Sequence, residues 1–187
     1  MALLFVQPDP AVYRTYEQSL LDFMGPHAPP GQVIHLPVGS LGLAELAAGA
    51  KLAGVVPSGC RFLTSWPDGT WISCEMTNPT LYGNAEFRNF TAGDAVRAVF
   101  ARIAQAQGLD AMQREDYELH FLSVPGIYLE ALHLVAQGKG SDFVLPLVSF
   151  DPQLGLDGVY DEATFLPIAR AMATARVRMT SSDPLSS

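Results

Sequence analysis

Asp116, Glu118 and His120 alternate in the stretch Asp-Tyr-Glu-Leu-His. On an extended chain, residues two apart share a face. A carboxylate beside an imidazole raises its pKa and fixes its tautomer, the arrangement used for general base catalysis. The same residue types also ligate metals. No nucleophile lies within the motif. The catalytic chemistry it admits is that of a small hydrolase or transferase, with His120 as base and Asp116 or Glu118 orienting it. The competing reading is the wet polar face of an ordinary strand.

The other clusters carry less. Glu130 and His133 form Glu-x-x-His, which on a helix is half of a di-iron carboxylate site. The motif occurs once, in a segment that reads as a strand, so no metal and no cofactor is expected. Asp151, Asp157, Asp161 and Glu162 have the composition of a calcium loop, but Gln153 and Gly155 occupy the early alternate positions where ligands belong. They read as turn formers and a helix cap. Cys60 and Cys74 fall on an apolar hairpin face and read as inert buried thiols. No sequence signature pairs either of them with His27, His35, His120 or His133. There is no Walker loop, dinucleotide fingerprint, Cys-x-x-Cys or His-Glu-x-x-His.

Composition excludes further classes. The 187 residues are 49% hydrophobic and only 16% charged, with a mean hydropathy of +0.18, too apolar for a disordered chain. Lys and Arg number 11 against 19 Asp and Glu, a net charge of −8. That balance disfavours nucleic-acid and anionic-membrane surfaces, which need clustered cations. Ten acids against two bases fall between 110 and 162, a candidate docking region for a basic protein partner. The opening Met-Ala-Leu-Leu-Phe-Val run is short and lacks a preceding cation, so a secretory signal is not expected and a cytoplasmic location is. No apolar window approaches a membrane span of about 18 residues.

The elements that must position these residues follow from caps and periodicity. Asp9 and Pro10 start a helix carrying Val12, Tyr16, Leu20 and Phe23 on one stripe, ended by Gly25-Pro26. A short strand is expected over 32–36, and a Ser40-capped helix to about Ala53. The firmest pattern is the hairpin 60–76. Trp66-Pro67-Asp68-Gly69 suits a type I turn with Gly69 left-handed. That register sets Arg61 against Glu75 and puts Cys60, Phe62, Thr64, Ile72, Cys74 and Met76 on one face. Leu63 and Trp71 are then the large apolar residues of the opposite face, candidate anchors for an interface.

A weaker strand is expected over 81–90. A Thr91-capped helix carrying Val96, Val99, Phe100 and Ile103 follows, stopped in Schellman fashion at Gly108-Leu109. Strands are read at 117–124, 127–136 and 143–150, and a last helix runs from an Asp161 cap to about Val177. Residues 179–187 read as a disordered tail. The fold expected over 1–178 is a single α+β domain. It has a largely antiparallel mixed sheet of six or seven strands and four helices, ordered helix, strand, helix, three strands, helix, three strands, helix. The sparse charge and apolar composition suit a non-catalytic interaction or small-ligand-binding protein that self-associates as a homo-oligomer.

Overall fold

The structure, a computed structural model, describes residues 2–25, 33–66, 68–82 and 84–181. Along the chain lie β1 (Leu3–Leu4), α1 (Pro10–Met24), β2 (Val33–Ser40), α2 (Leu43–Ala47), β3 (Pro57–Ser65), β4 (Trp71–Thr77) and α3 (Pro79–Tyr82). There follow β5 (Phe87–Ala92), α4 (Asp94–Gln107), β6 (Tyr117–Val124), β7 (Leu129–Ala136), β8 (Phe143–Val148), β9 (Tyr160–Asp161) and α5 (Glu162–Ser181). Among the described residues the strands form one mixed sheet of nine, in the order β5-β4-β3-β2-β6-β7-β8-β9, with β1 added at the start of β6. The β2–β6 and β1–β6 pairs are parallel and the remaining pairs antiparallel.

The sheet curls round α4. Leu147 and Val148 of β8 share one cavity with Asn89 and Thr91 of β5 and with the first turns of α4. Those strands stand six places apart in the sheet, roughly 29 Å if it were flat. On the inner face, Val96, Val99 and Ile103 of α4 bury Leu36, Leu63, Leu119, Phe121, Leu132 and Leu145. The outer face is covered in two parts. Val12, Tyr16 and Leu20 of α1 pack on Phe62, Ile72, Cys74 and Met76. Phe165, Ala169 and Ala173 of α5, with Leu46 of α2, pack on Leu122, Ala131 and Val144.

The hairpin has the expected register, with Arg61 opposite Glu75, Phe62 opposite Cys74 and Cys60 opposite Met76. Gly69 has φ 87° and its N–H closes the turn on the Trp66 carbonyl at 2.9 Å. Pro67 lies outside the described residues. The 127–136 segment contains β7 as expected, entered through a 3-10 turn at Pro125–Ile127.

Elsewhere the expectations need correction. The sheet has two more strands than the upper expectation, because β1 and β9 are two residues long and carry no periodicity. Ser40 ends β2 instead of capping a helix, and Gly42 precedes a helix of five residues. The 81–90 stretch divides into the end of α3 and the start of β5, and Thr91 lies in β5 while Gly93 precedes α4. Gly108 has φ −85°, so α4 ends without a left-handed residue. Helix α5 runs on to Ser181, and the rest of the expected tail lies outside the described residues.

Candidate functional site

The outer face between α1 and α5 is left to a polar strip built on β2, β6 and β7. Its origin is a break in the sheet. Strands β2 and β6 pair only from Val38 to Ser40, against Phe121 to Ser123. The residue before that ladder is Pro37, which has no N–H to donate and marks where strand pairing stops. Beyond it the two strands part. Strand β1 takes the vacant edge of β6, pairing Leu3 with Tyr117 and Leu4 with Glu118. The chain then runs past Val6, whose carbonyl accepts from His35 Nδ1 at 2.8 Å.

The gap below this wedge is a cavity of about 230 Å³, lined among others by Val6, Asp9, His35, Pro37, Cys60, Glu118 and His120. On the other side of His35 it is continued by a second cavity of about 590 Å³ that reaches Tyr13, Val33 and Phe62. His35 and the Val6–Pro8 segment are the wall common to both. Pro8, Pro37, Pro57 and Pro79 also line the first cavity, giving it stiff walls with few donors.

Glu118 and His120 come together as their alternation requires, with His120 Nε2 donating to Glu118 Oε1 at 2.6 Å. Asp116 does not join them. It precedes β6, and its carboxylate accepts from the Ala2 backbone N–H at 2.6 Å. Burial lowers the pKa of both His35 and His120, outweighing the opposing pull of the Val6 carbonyl on one and of Glu118 on the other. Both are therefore neutral near pH 7. Each then spends its N–H on the partner named, leaving His35 Nε2 and His120 Nδ1 as bare acceptors. The nearest thiol is not a nucleophile, since burial pushes Cys60 up to about 12.

His133 faces His120 across the β6–β7 ladder, ring centroids 6.2 Å apart, but belongs to the interior. Its Nε2 donates to Asp142 Oδ2 at 2.9 Å, while Asp142 Oδ1 accepts from the Ala136 N–H at 3.0 Å, which clasps the β7–β8 hairpin. Glu130, three residues away on the strand, projects to the inner face and meets Arg61, so the Glu-x-x-His motif is split between faces. No group of three or more His, Cys, Asp or Glu among the described residues is placed to hold a metal ion. Asp161 Oδ1 accepts from the Thr164 N–H at 2.8 Å, a helix cap, and Asp151 Oδ1 takes the Gln153 N–H at 2.8 Å, a turn. Leu63 has no exposed surface and Trp71 lies against Phe100 of α4, ring centroids 4.2 Å apart. The face expected to offer an interface is thus covered by a helix of the same chain.

Sequence reasoning missed His35 as a site residue. Its only local sign is the His-Leu-Pro-Val run, in which a proline interrupts an apolar strand. No protein family matches the chain, and no curated protein or solved structure is significantly similar to it. No helix among the described residues is long and apolar enough to cross a membrane.

Proposed function

We propose that this is a non-catalytic binding protein whose outer-face cavity takes a small ligand carrying an amine on an apolar body. One observation carries the reading. The described cavity wall combines two imidazole acceptors, His35 and His120, with the carboxylates of Asp9 and Glu118, and has no Lys or Arg. A ligand that donates hydrogen bonds and bears positive charge complements that wall, and a carboxylate is repelled by it. The rest of the lining is largely apolar and offers burial to the ligand body.

A hydrolytic reading draws on the His120–Glu118 pair, which would act as base on a water molecule. It is the weaker one, because the adjacent thiol is held protonated and no Ser, Thr or Tyr stands among the described residues lining the cavity beside His120.

Calorimetric titration at pH 7.5 with benzylamine, benzyl alcohol and benzoate separates these readings. Benzylamine is expected to bind with a Kd of about 1 mM or better, as befits eight non-hydrogen atoms in a small site. Benzoate is expected not to bind, and Glu118→Gln should weaken benzylamine about tenfold. Equal binding of benzoate, or an unchanged Glu118→Gln variant, overturns the assignment.

A further inference from the structure

The inner face holds a separate polar cavity, of about 220 Å³, between the first turns of α4 and strands β3, β4, β5, β7 and β8. Arg61 lies along one wall. Its guanidinium sits 3.6 Å over the Phe121 ring, and Nη2 donates to Glu75 Oε2 at 2.8 Å. Arg88 Nη1 approaches the other oxygen of Glu75 at 3.5 Å. Glu75, only 8% exposed, is therefore shared between two guanidinium groups. The remaining positive charge is balanced loosely by Glu130, whose Oε2 is 3.6 Å from Arg61 Nη1 and whose side chain is 41% exposed.

The Arg61 Nε supplies an independent sign. It is buried and has no hydrogen-bond partner among the described residues, on the wall that Ser73, itself 4% exposed, shares. A buried donor without a partner is destabilising unless something entering the site satisfies it. Thr91 and Asn89, opposite Ser73 and Glu75 on β5, bring a second hydroxyl and an amide to the same wall.

We propose that this cavity binds a small hydroxylated monocarboxylate. The carboxylate replaces Glu130 on the Arg61 fork and accepts from Ser73, while the ligand hydroxyl meets Thr91 and Asn89. One loosely compensated positive charge favours a single negative charge. A dianion would meet Glu75 and Glu130 as like charges.

The test is a titration of the ¹⁵N-labelled protein with lactate, followed by backbone amide shifts, with lactamide as the uncharged counterpart. Saturable shifts confined to Ser73, Thr91 and the first turns of α4 are expected with lactate and not with lactamide. Ser73→Ala should weaken lactate at least about tenfold, the value of one hydrogen bond to a charged group. Glu130→Gln should tighten it by a factor of about five, because the internal competitor loses its charge. The amide spectra report independently that each variant is folded. The proposal is overturned by no saturable shift up to about 50 mM in both wild type and Glu130→Gln, by equal shifts with lactamide, or by weaker binding in Glu130→Gln.

Discussion

His120 and His133 face each other on neighbouring strands, yet their carboxylate partners serve different ends. Asp142 holds His133 and the Ala136 amide at once, inside the protein. Removing the imidazole leaves that carboxylate short of a donor. His133→Ala should therefore cost about 1–3 kcal/mol in urea unfolding. His120→Ala releases a Glu118 whose side chain is 30% exposed and can turn to water, and should cost under about 1 kcal/mol. His35 and His120 give stability a pH signature. Burial holds the folded pKa of His35 and His120 below the unfolded one, so the unfolded chain binds more protons in the window between them. Stability should be flat above the ordinary imidazole value of about 6.5 and fall as pH drops below it, until both folded-state pKa values are passed. The fall should vanish in a His35→Gln, His120→Gln variant followed by thermal melting. Glu118 with His120 was legible in the sequence because alternation needs only a strand. Asp116 misled because β6 begins one residue later and a backbone N–H from the chain start claims its carboxylate. His35 was invisible because the carbonyl that fixes it lies 29 residues away.

At the scale of elements, the hairpin was legible because turn chemistry and face pattern agree independently. Nothing would crowd a Cβ at Gly69, so its φ of 87° is the whole penalty, and Gly69→Ala should cost about 1 kcal/mol. Phe62 stacks on Tyr16 with centroids 4.1 Å apart, and Leu63 is buried beneath α4 on the opposite face. Phe62→Ala should cost about 3–5 kcal/mol, and Leu63→Ala about 2–5 kcal/mol, so the two faces of β3 should prove comparably sensitive to denaturant. What the local pattern could not reveal is where strands part. Pro37 is the element-scale cause of the outer cavity, and Pro37→Val restores an N–H and a strand-favouring side chain. That variant should let β2 follow β6 further and should weaken benzylamine at least about tenfold by narrowing the gap. Calorimetry giving wild-type affinity would show that the β1 wedge alone keeps the strands apart.

At the scale of the molecule, the strand order reads outward in both directions from the parallel β2–β6 pair: β3, β4, β5 one way and β7, β8, β9 the other. Each four-strand meander is followed by a helix, α4 or α5, and each first connection contains a helical turn. Two such units beside a parallel central pair are related by a twofold axis lying in the sheet along the strands. Equivalent helices must then fall on opposite faces, and α4 is inside while α5 is outside. The repetition of three strands and a helix was visible in the sequence as topology. In the first unit the fourth strand, β2, was expected at 32–36 but apart from the repeat; in the second it is the two-residue β9, which carries no pattern, and no periodicity foretells a curl. That curl solves a packing problem, because α4 is the one helix packed on the inner face among the described residues and would leave the inner face of the second unit bare. It brings β8 onto α4 as well as β4 and β5, so one helix belongs to the cores of both halves. Neither half can then keep its core when the other opens, and equilibrium unfolding should be a single cooperative step. Trp66 and Trp71 both flank the hairpin turn of the first unit, Trp71 lying against Phe100 of α4, so tryptophan fluorescence reports that half and its contact with α4. Far-ultraviolet circular dichroism reports both halves. Coincident urea transitions by the two probes are expected. A fluorescence transition that precedes or trails the dichroism would mean that the halves open separately and that α4 stays with one of them.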